Sequence, residues 1–140
     1  MFQSPEEIEA AGWEPIVDVG FFALVGPLWR APERPGHRYG FLIEPRHLNG
    51  AGFVHGGMLM SAADRAMGPT ARDADPNIRQ ATVQLSYDFI DGARAGEFVD
   101  IRCEVMRRTR SIVFTRALLQ VGDRIIGSTS AIWKVFRSDA

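Results

Sequence analysis

One stretch leaves this chain few folds to choose from. From Gly56 to about Ala71 the residues repeat at helical spacing, yet the stretch holds no Lys or Glu and only one acid and one base, Asp64 and Arg65. Leu59, Ala62, Ala63, Ala66, Met67 and Thr70 share one face, and Gly57, Ser61, Asp64 and Gly68 share the opposite one. A helix with no charged face is covered on most sides. Pro69 is expected to kink or end it. Beyond the loop 72–79 the period changes to two. Ala81, Val83, Leu85, Tyr87 and Phe89 alternate with Thr82, Gln84, Ser86 and Asp88, and Val99, Ile101, Cys103 and Val105 alternate with charged residues. Two further strands, 111–121 and 124–136, meet at Gly122-Asp123, a tight hairpin turn. Strands following one helix indicate an α+β fold with an antiparallel sheet. A sheet that must cover one buried helix wraps around it.

The remaining residues fit one domain spanning 1–140, with 1–37 as a lead-in. Ser4-Pro5-Glu6-Glu7 reads as a capping box opening a short helix that Gly12 stops. Residues 13–37 are rich in Pro and Gly and read as irregular chain packed on the body. Tyr39 to Glu44 reads as a first strand, ended by Pro45. The net charge of −1 gives no global attraction to nucleic acid or an anionic membrane. A lone cysteine, Cys103, rules out an intrachain disulfide and reads as a small core residue. The polar, acidic start lacks a signal peptide, and no apolar run spans a membrane, so a reducing cytoplasm is the expected location.

The chemistry concentrates in Asn49-Gly50-Ala51-Gly52-Phe53-Val54-His55-Gly56-Gly57 and in Asp64. A carboxylate inside an apolar helix is costly unless it is paired or used. It could act as base or nucleophile, or simply pair with Arg65 or Arg72. The Gly56 N–H at the helix start is free to hold a developing oxyanion, while the two glycines could equally serve only a tight turn. His55 could donate to that oxygen or cap the helix. Asn49 could hold water or serve as the turn residue of Asn-Gly. No His, Cys and acid set has ligand spacing, so no metal is expected.

The spacing of Asn49, His55-Gly56-Gly57 and Asp64 resembles the hotdog-fold acyl-CoA thioesterases of the PaaI type, related to phenylacetyl- and hydroxybenzoyl-CoA thioesterases. The likeness runs through the helix to Thr82-Val83 and on to Gly96-Glu97, covering roughly residues 38–136 in character. It implies a hotdog fold and hydrolysis of an acyl-CoA to CoA and a carboxylate, with no cofactor beyond the CoA of the substrate. It implies Asp64 as base or nucleophile, the Gly56 N–H and His55 at the oxyanion, and Asn49 and Thr82 placing water. Thr82 corresponds to a hydroxyl residue that the family brings in from the partner subunit, although the alternation of its strand points it away from the apolar face. Gly57 borders the substrate and reads first as a packing glycine. Arg107, Arg108 and Arg110 would clamp the CoA phosphates, if they are more than a solvated hairpin loop. The family works as homodimers, often paired into dimers of dimers, with neither nucleic acid nor membrane as partner. Two rivals are an enoyl-thioester hydratase or dehydratase on the same fold, which product analysis would separate, and an acyl-CoA-binding protein without turnover, which a thiol-release assay would separate.

Overall fold

The structure, a computed structural model, describes residues 2–33, 37–72, 75 and 77–136. Helix α1 (Pro5–Ala10) begins as expected, with the Ser4 hydroxyl accepting from the Glu7 N–H at 3.3 Å. The Glu7 carboxylate reaches back one residue further than a capping box requires, to the Gln3 N–H at 2.8 Å. The helix closes with Gly12 and Trp13 N–H groups bonding back to the Glu9 and Ile8 carbonyls.

The lead-in is not irregular, which corrects the expectation for residues 13–33. It forms β1 (Glu14–Pro15), the short helix α2 (Phe21–Val25) and β2 (Trp29–Pro32). Burial explains the difference. Trp13, Leu28 and Trp29 lose nearly all their exposure, so the backbone beside them must find hydrogen-bond partners, which β1, β2 and the Ile16 N–H bond to the Leu28 carbonyl supply. Residues 34–36 lie outside the described residues. Next come β3 (His37–Leu42), a 3₁₀ turn over Pro45–His47, and the long helix α3 (Gly56–Arg72). Four strands follow: β4 (Arg79–Phe89), β5 (Phe98–Arg108), β6 (Ile112–Val121) and β7 (Arg124–Phe136). They join one antiparallel sheet in the order β1-β2-β3-β5-β6-β7-β4.

Helix α3 packs across β3 to β7, giving the wrapped sheet and buried helix of the hotdog arrangement. Leu59, Ala62, Ala63, Ala66, Met67 and Ala71 are buried on it. Four of those six are alanines, so the helix lies close to the sheet and the larger side chains come from the strands. Pro69 does not end the helix, which continues to Arg72. There the Arg108 guanidinium donates to the Ala71 carbonyl at 2.6 Å, satisfying an end group that the helix cannot satisfy itself.

Strand β4 departs from its sequence pattern. Its register against β7 shifts between Thr82 and Gln84, so Val83 is the extra residue of a bulge. Ala81 and Val83 are therefore exposed, while Leu85 and Tyr87 pack on the core. The helix-facing set is Gln80 and Thr82 before the bulge and Leu85 and Tyr87 after it, rather than one unbroken alternation.

His47 ties three segments together. It is buried, with its ring edge-on to Phe41. Nδ1 accepts the Glu44 N–H at 3.0 Å, so Nε2 carries the proton and donates to the Val25 carbonyl at 2.6 Å. Its own carbonyl accepts the His55 N–H at 2.8 Å. Arg46 beside it bonds the Leu24 and Gly26 carbonyls. Burial is the largest cause holding the His47 pKa below its ordinary value, with the Arg46 charge adding to it. The unfolded chain therefore binds this proton more readily, and stability falls as pH drops through and below about 6.5. The urea midpoint should decrease between pH 7.5 and pH 5.5, and His47→Gln should flatten that decrease. A wild-type midpoint that stays level or rises on acidification would contradict this account of His47.

Candidate active site

The loop before α3 is built by its own side chains. Asn49 Oδ1 accepts the N–H groups of Ala51 at 2.9 Å and Phe53 at 3.1 Å, and the Asn49 N–H returns to the Phe53 carbonyl at 2.7 Å. The turn role of Asn49 is thus real, and its amide nitrogen is the group that can still face a ligand. The His47 carbonyl fixes the loop's far end through the His55 N–H.

His55 is the N-cap of α3. Its Nδ1 accepts the Gly57 N–H at 2.8 Å, and its carbonyl accepts from Met58 at 2.9 Å. With Nδ1 engaged, the ring proton sits on Nε2, a donor aimed away from the helix. A Cβ on Gly57 would lie 3.0 Å from His55 Nδ1, so Gly57 keeps the cap in place. Among the described residues no acceptor faces the Gly56 N–H. A Cβ on Gly56 would lie 2.8 Å from the Phe89 ring, so the bare glycine lets β4 close over the helix start. Asn49, Val54, Gly56, Leu59, Phe89 and Gly92 line an open cleft of about 280 Å³ there.

Asp64 lies further along the open stripe of α3 and is half-buried. The Thr82 hydroxyl donates to its Oδ1 at 2.6 Å. The bulge at Val83 resolves the conflict over the direction of Thr82: the strand's alternation changes one residue later, so Thr82 faces the helix. Thr82 meets the Asp64 of its own chain. Arg65 does not neutralise Asp64. Its guanidinium makes a forked pair with Asp18 of the lead-in, at 3.0 Å for the closest contact. Asp64 makes no ion pair among the described residues.

Two groups stand apart. Gly56 and Asp64 are eight residues apart on one helix, about 12 Å along its axis at ~1.5 Å per residue. A carbonyl held by the N–H and attacked directly by the carboxylate spans only about 6 Å. The cluster Arg107, Arg108 and Arg110 is not brought to the cleft either. It lies beyond the opposite end of α3, with Arg108 committed to the Ala71 carbonyl. The sequence reading also missed His47, because a lone histidine beside a proline turn carries no periodic signal. Phe89, one of the alternating apolar residues of β4, covers Gly56, which the alternation alone does not reveal.

Residues 51–132 match the thioesterase superfamily. A Pseudomonas aeruginosa protein provisionally named an esterase is 32% identical over 92 residues, which are 65% of this chain and 69% of that protein. A Streptococcus mutans protein solved with acetyl CoA superposes with a TM-score of 0.75 at 16% identity, covering 88% of this chain and 98% of that one. The phenylacetic acid degradation protein PaaI of Thermus thermophilus, solved as a point variant, superposes with a TM-score of 0.66 at 19% identity, covering 95% of this chain and 99% of that one.

The cap makes a stability prediction independent of any reaction. His55→Ala should cost about 1 kcal/mol, seen as a melting temperature lower by ~3–5 °C, whereas His55→Asn should restore most of it. An unchanged melting temperature for His55→Ala would show that the cap carries no weight.

Proposed function

Because the chain belongs to the thioesterase superfamily, we propose that it is an acyl-CoA thioesterase, hydrolysing an acyl- or aryl-acyl-CoA to free CoA and a carboxylate at a site shared by two copies. The observation that carries this reading is the Thr82–Asp64 hydrogen bond. It fixes one oxygen of a half-buried carboxylate that lacks a cation and leaves the other oxygen for the reaction. Two of the likenesses fit this reading: one solved relative holds acetyl CoA, and another is PaaI.

The 12 Å gap is closed by a second copy. Strand β4 ends the sheet order, so the backbone of an 11-residue strand lies at an open edge. Val83, Phe89 and Ile90 along it are each more than half exposed, an apolar surface that a partner would cover. On β4, Phe89 sits at Gly56 and Thr82 sits at Asp64. Antiparallel pairing of two β4 edges about a two-fold midway between those residues sets Thr82 of one copy opposite Phe89 of the other. The same axis brings Asp64 of one copy to Gly56 of the other. The homodimer follows from this completion of the site, and a dimer of dimers is the further assembly that the family resemblance implies.

In the shared site the Gly56 N–H, aided by His55 Nε2–H, polarises the thioester carbonyl. The Asn49 amide and the partner copy's Thr82 hydroxyl hold water. Asp64 of the partner copy takes the water's proton while its oxygen attacks the carbonyl carbon, or attacks that carbon itself to give an anhydride that water then opens. Collapse of the oxyanion breaks the C–S bond, and CoA leaves as the thiolate, which takes up a proton. Acyl-CoA and water are the only reactants, and a cytoplasmic setting suits a substrate made inside cells.

Asp64→Asn keeps the shape and the Thr82 contact but cannot accept a proton or attack. With a panel of acyl-CoA thioesters, thiol release should fall by about 10²–10⁴-fold in kcat, with KM little changed. A rate equal to that of the wild type would overturn the role of Asp64. A wild-type protein that releases no thiol from any thioester but adds water across an enoyl-CoA would favour the hydratase reading.

A further inference from the structure

We propose that the Tyr87 hydroxyl selects the acyl group, donating a hydrogen bond to an uncharged oxygen that the acyl group carries beyond its thioester. The proposal rests on the thioesterase reading and names which acyl groups that site takes.

Tyr87 carries a polar group whose hydrogen bond is not made. Its hydroxyl is closed off from solvent and has no hydrogen-bond partner among the described residues. Such a group weakens the fold, so buried hydroxyls are normally bonded. The threonines nearby obey that rule. Thr115 Oγ1 accepts from Trp133 Nε1 at 2.9 Å, and the Thr129 hydroxyl donates to the Ser86 carbonyl at 2.6 Å. A phenylalanine at position 87 would fill the same space without the penalty, so the hydroxyl needs a reason outside packing. Burial pushes the phenol up to about 12, and it is a neutral donor at physiological pH. An uncharged oxygen suits that donor, whereas a carboxylate would lose far more hydration on arriving there.

The chain also makes room for this hydroxyl. Gly127 lies inside β7, paired on one side with Phe89 of β4 and on the other with Leu119 of β6. A Cβ on Gly127 would overlap the Tyr87 hydroxyl. A glycine inside a strand gives up packing and marks a close approach, here that of the phenol. The position along β4 matters as much. Thr82 sits at Asp64 and Phe89 sits at Gly56, and Tyr87 lies between them on the helix-facing side. The Tyr87 and Phe89 ring centroids are 4.5 Å apart. Phe89 lines the cleft together with Gly56 and Leu59, and its ring is more than half exposed. An acyl group whose carbonyl is held at Gly56 and whose chain runs inward passes Leu59 and Phe89 and then meets the phenol. One donor set in an apolar lining is what orients and selects a bound group.

The test uses CoA thioesters in pairs that differ by one oxygen: phenylacetyl against its meta- and para-hydroxy derivatives, and hexanoyl against its ω-hydroxy derivative. In at least one pair the wild type should favour the oxygenated member about 10-fold in kcat/KM. Tyr87→Phe, which removes only the hydroxyl, should bring that ratio to within about two-fold of one. A wild type with no such preference in any pair overturns the assignment. A ratio that survives in Tyr87→Phe also overturns it, including the case in which both members slow equally, as they would if the phenol were merely structural. Thermal unfolding of the free protein gives a second reading: Tyr87→Phe should melt no lower than the wild type. A lower melting temperature means that the hydroxyl is already bonded in the free protein, and the assignment fails. Calorimetric binding of the same pairs separates the proposal from the reaction. If no thioester is hydrolysed, yet the wild type binds an oxygenated member about 10-fold tighter and Tyr87→Phe does not, the thioesterase reading fails and the Tyr87 site stands. If no member of any pair binds or reacts, the Tyr87 site fails with it.

Discussion

The helix axis is the constraint on which the rest depends. One unbroken α3 carries an unpaired N–H at its first residue and a carboxylate eight residues on. A rigid rod cannot bring those groups together, so the proposed site draws one group from each of two copies. The open β4 edge and the exposed apolar side chains beside it then acquire a common purpose. Each group is set by its own chain: Gly56 by the loop and the His55 cap, Asp64 by Thr82.

That preparation uses ordinary structural bonds. Asn49 shapes its own turn, His55 caps α3, and His47 fastens the loop to the lead-in. Neither the Asn49 turn nor the His55 cap competes with chemistry, because each leaves one donor over: the Asn49 amide nitrogen and His55 Nε2–H. Asp18 contributes at a distance by holding Arg65, the cation nearest to Asp64 in sequence, in a forked pair. A structural reading and a catalytic reading of these residues are thus two descriptions of one arrangement.

The sequence was legible where a period reports burial. The charge-poor helix, the paired strands β5 to β7 and the antiparallel class all follow from spacing, because each element buries one face. It was illegible where tertiary packing overrides the local pattern. Val83 looks like one more step in an alternation, and only pairing with β7 reveals it as a bulge that turns Thr82 toward Asp64. The lead-in looks irregular because its strands are two and four residues long, too short to show a period. Pro69 looks like a stop in sequence, yet the helix runs three residues past it to Arg72. The cluster Arg107 to Arg110 is conspicuous in sequence, and the structure commits its Arg108 to the end of α3.

Subunit complementation tests the shared site most directly. Asp64→Asn and Gly56→Val would each be inactive alone. Unfolded together and refolded as an equal mixture, half of the dimers are mixed, and each mixed dimer holds one intact site formed by Gly56 of one chain and Asp64 of the other. The account predicts recovery of about a quarter of the wild-type thiol-release rate, in a protein that runs as a dimer by light scattering. No recovery from a mixture shown to contain mixed dimers would place both groups in one chain and contradict the account.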